Sequence, residues 1–76
     1  MFGRKNKDGF SFTEMCDLVI TALIMEDEPY MVHHSDKDVK ILWKNNIVKI
    51  KGEHIWFNNK HQNSVYNIIN AIKAGK

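Results

Sequence analysis

The 76-residue chain has one cysteine, one proline, four glycines and a net charge of only +2. A single cysteine excludes an internal disulfide and suits a reducing compartment. So little proline and glycine, with 43% apolar residues, excludes a disordered chain. Long hydrophobic runs are missing too. The longest, Leu18 to Met25, is interrupted by Thr21 and falls well short of the roughly 20 residues that span a bilayer. Glu14 and Asp17 precede it, where a signal peptide has basic residues. The expectation is an intracellular, cytoplasmic protein with no membrane segment. A domain this small buries only about 60% of its unfolded surface. That allows one thin core layer and little room for a deep substrate pocket.

Patterns for catalysis are equally scarce. No paired Cys and His spacing of a zinc site occurs. The glycines are isolated, so no phosphate-cradling loop is present. His33 and His34 are adjacent, and on a strand they point to opposite faces. His33 and His54 fall on separate strands, too far apart for one ion. Asp36 and Asp38 favour a turn rather than forming an acid pair. Ser11 and Ser64 have no His and acid partners at a suggestive spacing. Cys16 lies on a helical apolar stripe and reads as core. The reading is a non-enzymatic protein, with no cofactor and no metal.

What is present is unevenly distributed. Residues 1–10 carry +2, residues 11–29 carry −5, residues 30–58 carry +2 and residues 59–76 carry +3. Residues 1–10, with Arg4, Lys5 and Lys7, read as a flexible basic arm on a single domain over 11–76. Nine Ile, ten Lys and eight Asn are encoded by AT-rich codons. A phage or mobile-element protein fits that composition.

Ser11-Phe12-Thr13-Glu14 is a capping box, with Phe10 and Met15 at the staple positions. A helix is expected from Ser11 to about Met25, closed by Pro29. Phe12, Met15, Cys16, Val19, Ala22 and Leu23 form its central stripe. Leu18, Ile20, Ile24 and Met25 widen that stripe beyond one face, so the helix needs cover on more than one side, from a sheet and second helix or from a partner. Glu26, Asp27 and Glu28 sit at the wrong end of the helix for its dipole. They form either a solvated loop or an acidic contact for a basic partner.

Three two-residue turns, Asp36-Lys37, Asn45-Asn46 and Gly52-Glu53, divide the next stretch into strands at about 30–35, 38–44, 47–51 and 54–58. This register opposes Lys44 to Ile47, Trp43 to Val48 and Lys40 to Lys51. It gathers Tyr30, Val32, Val39, Ile41, Trp43, Val48, Ile50, Ile55 and Phe57 on one face. Such agreement across three hairpins is the strongest signal in the sequence. Asn59 and Gln62 have N-cap and N3 spacing for a closing helix. Val65, Ile68, Ile69 and Ile72 form its stripe and Gly75 its stop. The fold class is α+β: a two-layer α-β-β-β-β-α domain, a four-stranded antiparallel meander with both helices on one face.

The other face is left open. It holds Met31, His33, Lys40, Leu42, Lys44, Ile47, Lys49, Lys51, His54, Trp56 and Asn58. Lysines that follow phosphates, interleaved with rings that stack on bases, suit single-stranded nucleic acid. The partner-binding candidates are Lys40, Lys44, Lys49, Lys51 and Trp56, with His33 and His54 at the margins. Met31, Leu42, Ile47 and Trp56 also form an apolar patch of the kind that contacts proteins. The alternative is therefore an inhibitor or adaptor that occludes a host protein, or a homodimer through this face or the first helix. The element order is loosely similar to that of double-stranded RNA-binding domains, which have helix, three strands, helix. Those bind RNA through a Lys-rich start of the last helix. Here Asn59, Lys60, His61, Gln62, Asn63 and Ser64 hold one Lys, so no residue role is carried over.

Overall fold

The computed structural model describes residues 8–36 and 38–75. Most of the basic arm (1–7), Lys37 of the first turn and Lys76 lie outside the described residues. The order is α1 (Phe12–Met25), β1 (Met31–His34), β2 (Asp38–Trp43), β3 (Asn46–Lys51), β4 (His54–Phe57), β5 (Lys60–Gln62) and α2 (Tyr66–Lys73). The strands form one antiparallel sheet in sequence order, a meander of five rather than four. Both helices pack on one face, and α1 contacts α2 and β3.

Helix α1 begins as its sequence dictates. The Ser11 hydroxyl accepts from the Glu14 amide (3.2 Å), and the Glu14 carboxylate accepts from the Ser11 amide (2.9 Å). At its end Asp27 takes φ 57°, and the Asp27 and Glu28 amides donate to the carbonyls of Ile24 and Leu23. These two bonds satisfy carbonyls that the last turn would otherwise leave open. Met15, Val19, Ala22 and Leu23 are buried, whereas Ile24 and Met25 stay exposed.

The sheet differs from expectation at two turns. The β2–β3 turn is Lys44-Asn45, one residue earlier than Asn45-Asn46, with Lys44 at φ 51°. Asn46 belongs to β3, where its side-chain oxygen accepts from the Asn58 amide group (3.1 Å). Moving the turn by one residue moves the pairing by two: Leu42 faces Ile47, Ile41 faces Val48 and Lys40 faces Lys49. An even shift leaves every side chain on its original face, so the core survives the slip. The β3–β4 register, Lys51 opposite His54 and Lys49 opposite Trp56, is the expected one.

The second difference lies after β4. Asn58 and Asn59 have φ 51° and 70°, the two left-handed residues of a type I′ hairpin turn. The chain reverses there into β5 instead of starting a helix at Asn59. Helix α2 begins at Tyr66, and its first amides find partners nearby. The Ser64 hydroxyl accepts from the Tyr66 amide (3.1 Å), and the Asp8 carboxylate accepts from the Val65 amide (3.2 Å). Val65, Ile68, Ile69 and Ile72 are buried, and Gly75 takes φ 79° just past the end.

The core is a single cluster of the inner faces of β2, β3 and β4 with the two helices. Val39, Ile41, Trp43, Val48, Ile50 and Ile55 are at most 2% exposed. Trp43 stacks on Phe57, their rings 5.9 Å apart and 12° from parallel. All four residues of β1 are exposed, so Val32 lies on the inner side without being covered.

Candidate functional site

The five-stranded pairing builds the outer face in rows. Cross-strand partners share a face, so His33, Lys40, Lys49, Trp56 and His61 form one row across all five strands. On one side of it run Asp38, Lys51 and His54, and on the other Met31, Leu42 and Ile47. The two-residue slip sorts these differently from the expected register, which aligned Lys40 with Lys51 and His54. The structure brings His33, Lys40, Lys49 and Trp56 into one line, with Lys51, His54 and Leu42 flanking it.

Lys44 stands apart. The earlier turn takes it out of β2, and its ammonium meets the Glu28 carboxylate at 3.1 Å and the Gly75 carbonyl at 3.2 Å. It thus places a cation at the ends of both helices, where the dipoles favour one. In this position it gives Glu28 a partner and stands off the row of outer-face lysines.

Sequence reasoning missed His61, which it placed inside the closing helix. The signal was available, since Asn58-Asn59 carries the same turn chemistry as Asn45-Asn46. Read as a hairpin, it puts His61 opposite Trp56. His54, Trp56 and His61 form an aromatic cluster with ring centroids 5.4–5.9 Å apart. The His54 Nδ1 and His61 Nε2 atoms are 3.2 Å apart. The Lys49 ammonium lies 6.0 Å from the centre of the Trp56 ring, within reach of a cation–π contact. A shallow depression of about 470 Å³ opens at the other end of the row, lined by His33, Lys40, Leu42 and Ile47 among others.

Charge is separated between the two layers. Among the described residues no carboxylate pairs with Lys40, Lys49 or Lys51. Asp38 is the acid nearest in register, and it accepts from the Ser35 hydroxyl. The acids cluster around α1, at Glu14, Asp17, Glu26, Asp27 and Glu28. A net charge of +2 therefore conceals a basic sheet face backed by an acidic helix layer.

Cys16 is half-buried on α1. Burial, with the charge of Asp17 second, pushes its thiol up to about 11. It is protonated and unreactive at neutral pH. Among the described residues no three His, Cys, Asp or Glu side chains converge as a ligand set, and no helix is long and apolar enough to cross a membrane. The class defined is a two-layer α+β domain with an open, basic, ring-bearing sheet face. Comparison with family models, curated proteins and solved structures finds no match, so the function is read from this geometry.

Proposed function

We propose that the chain is a small non-enzymatic binding module that receives single-stranded nucleic acid on its open sheet face. The observation carrying this is the row His33, Lys40, Lys49, Trp56, His61, with Lys51 and His54 beside it. Lys40 and Lys49 are directly opposed, which costs a few tenths of a kcal/mol in the free protein. A phosphate between them turns that repulsion into attraction. Trp56, flanked by His54 and His61, supplies a stacking platform, and a stacked base contributes about 1–3 kcal/mol. A phosphate drawing Lys49 aside uncovers the indole.

The test is tryptophan fluorescence during titration with unstructured DNA and RNA oligonucleotides at several salt concentrations. Trp56 is quenched and Trp43, at 2% exposure, is silent. Three phosphate contacts, by Lys40, Lys49 and Lys51, give a slope of log K against log salt of about −2. Lys49→Gln and Lys51→Gln weaken all sequences alike and flatten the slope by roughly 0.7 each. Absence of quenching at low salt overturns the reading.

A second reading rests on a different observation. Among the described residues, five of the six exposed large hydrophobic side chains lie between Ile24 and Val32: Ile24, Met25, Tyr30, Met31 and Val32. Met31 and Val32 belong to β1 and the others precede it; β1 is an edge strand without Lys, Arg, Asp or Glu. Such a surface suits an adaptor or inhibitor that docks on another protein. Under this reading Lys49→Gln and Lys51→Gln leave binding intact and Met31→Glu abolishes it.

A further inference from the structure

We propose that His54 and His61 form a two-imidazole site for a divalent first-row transition metal, of the copper and zinc class. The two residues lie on neighbouring strands of the outer face, joined by the Asn58-Asn59 turn. The turn folds the short β5 back along β4 and so brings the two rings together. Both side chains are exposed, so metal and water reach them freely.

The distance carries the argument. His54 Nδ1 and His61 Nε2 are 3.2 Å apart. Zinc–imidazole bonds are about 2.0–2.1 Å long. Two such bonds from nitrogens 3.2 Å apart enclose an angle of roughly 100° at the metal, between square-planar and tetrahedral values. The metal lies about 1.3 Å to the side of the line joining the nitrogens. Adjustment of the second torsions of the two histidines, which are broad, aims the ring lone pairs at the metal at little cost. In the metal-free protein the same two atoms share one proton in a hydrogen bond. The metal displaces that shared proton, which passes through water to the outward nitrogen of the ring that donated it; each neutral ring then carries one proton, on Nε2 of His54 and on Nδ1 of His61.

Imidazole ligands favour copper, nickel and zinc over magnesium and calcium, which prefer oxygen. Two protein ligands leave the other positions to water, which makes the site labile and open rather than structural. Neither ligand belongs to the buried core cluster.

Trp56 makes the site observable without any nucleic acid. Its ring centre is 5.9 Å from that of His54 and 5.5 Å from that of His61. Bound Cu²⁺, with low-lying d-electron states, quenches an indole at that range. The experiment titrates Cu²⁺ into the full chain and follows tryptophan emission, then adds EDTA, which strips the metal. The expected result is saturable quenching at one metal per chain, reversed by the chelator. His54→Ala and His61→Ala each weaken it about tenfold or more, since losing a ligand costs at least what losing an outer-shell partner does. A His33→Ala/His34→Ala variant titrates like the parent. Far-UV circular dichroism confirms that the exposed substitutions leave the fold intact. Quenching that persists unchanged in His61→Ala, that disappears with His33 and His34, or that never saturates overturns the proposal.

Discussion

Residue by residue, the clearest departures from the ordinary are a thiol and a handful of left-handed backbones. Cys16 sits at the edge of the α1 stripe, pushed up from an ordinary 9.0 to about 11 by burial and by Asp17. At pH 8 its thiolate fraction is about a hundredfold below that of a free thiol. Its reaction with a disulfide reagent at pH 8 is slower than that of the urea-unfolded chain by about tenfold or more, since the scarcer thiolate is partly offset by its greater nucleophilicity. The folded state holds this proton more tightly than the unfolded state. The associated stability is therefore present below pH 9 and is lost as pH rises toward 11. Asp27, Lys44, Asn58 and Asn59 all adopt positive φ. Each is fixed by something visible: the α1 carbonyls for Asp27, Glu28 and Gly75 for Lys44, and the hairpin for the asparagine pair. Lys44 was illegible from sequence because its partners lie 16 and 31 positions away, at Glu28 and Gly75.

Among the elements, the start of α1 and the register of the β3–β4 hairpin were readable, although β3 starts one residue earlier and β4 ends one residue sooner than expected. A capping box and a Gly-first turn are local signals, and local chemistry decides them. The closing helix was readable by its stripe and not by its start. Asn59 and Gln62 have capping spacing, but Asn58-Asn59 is also a hairpin turn, and pairing of Phe57 with Lys60 decides between them. Asn59→Gly discriminates directly. In a type I′ turn Asn-Gly is the favoured pair, so the change relieves a positive φ and raises stability by roughly 0.5–1 kcal/mol. A helix cap at that position would instead lose a few tenths of a kcal/mol. The shift of the urea midpoint gives the sign. The candidate site shows the same division. Lys40, Lys49, Lys51, Trp56, His33, His54 and Leu42 were assignable to the outer face because parity survives an even slip. Their alignment in rows, and the addition of His61, required the true pairing.

At the scale of the whole molecule, cover is uneven. The two helices shield β2, β3 and β4, and leave β1 exposed along its length. Core substitutions should follow that map. Ile50, fully buried in the middle strand, should cost about 2–5 kcal/mol on truncation to alanine. A single small core rarely supplies more than about 3–5 kcal/mol, so the Ile50→Ala chain keeps at most about 3 kcal/mol of net stability. Val32, 38% exposed, should cost well under 1 kcal/mol on the same truncation. Urea unfolding of the two variants compares them on one scale.

The layer that covers the sheet is built from the two ends of the described chain, since α1 precedes every strand and packs on α2, which follows them all. The meander can zip hairpin by hairpin as the polypeptide leaves the ribosome, each pairing closing over a few residues. The roof cannot. Until Ile68, Ile69 and Ile72 have emerged, α1 has no α2 to close on, and the nascent chain presents a wet apolar strip. Completion of the fold therefore waits for α2 to emerge, and until then the half-built domain shows an apolar surface that chaperones and proteases are equipped to find.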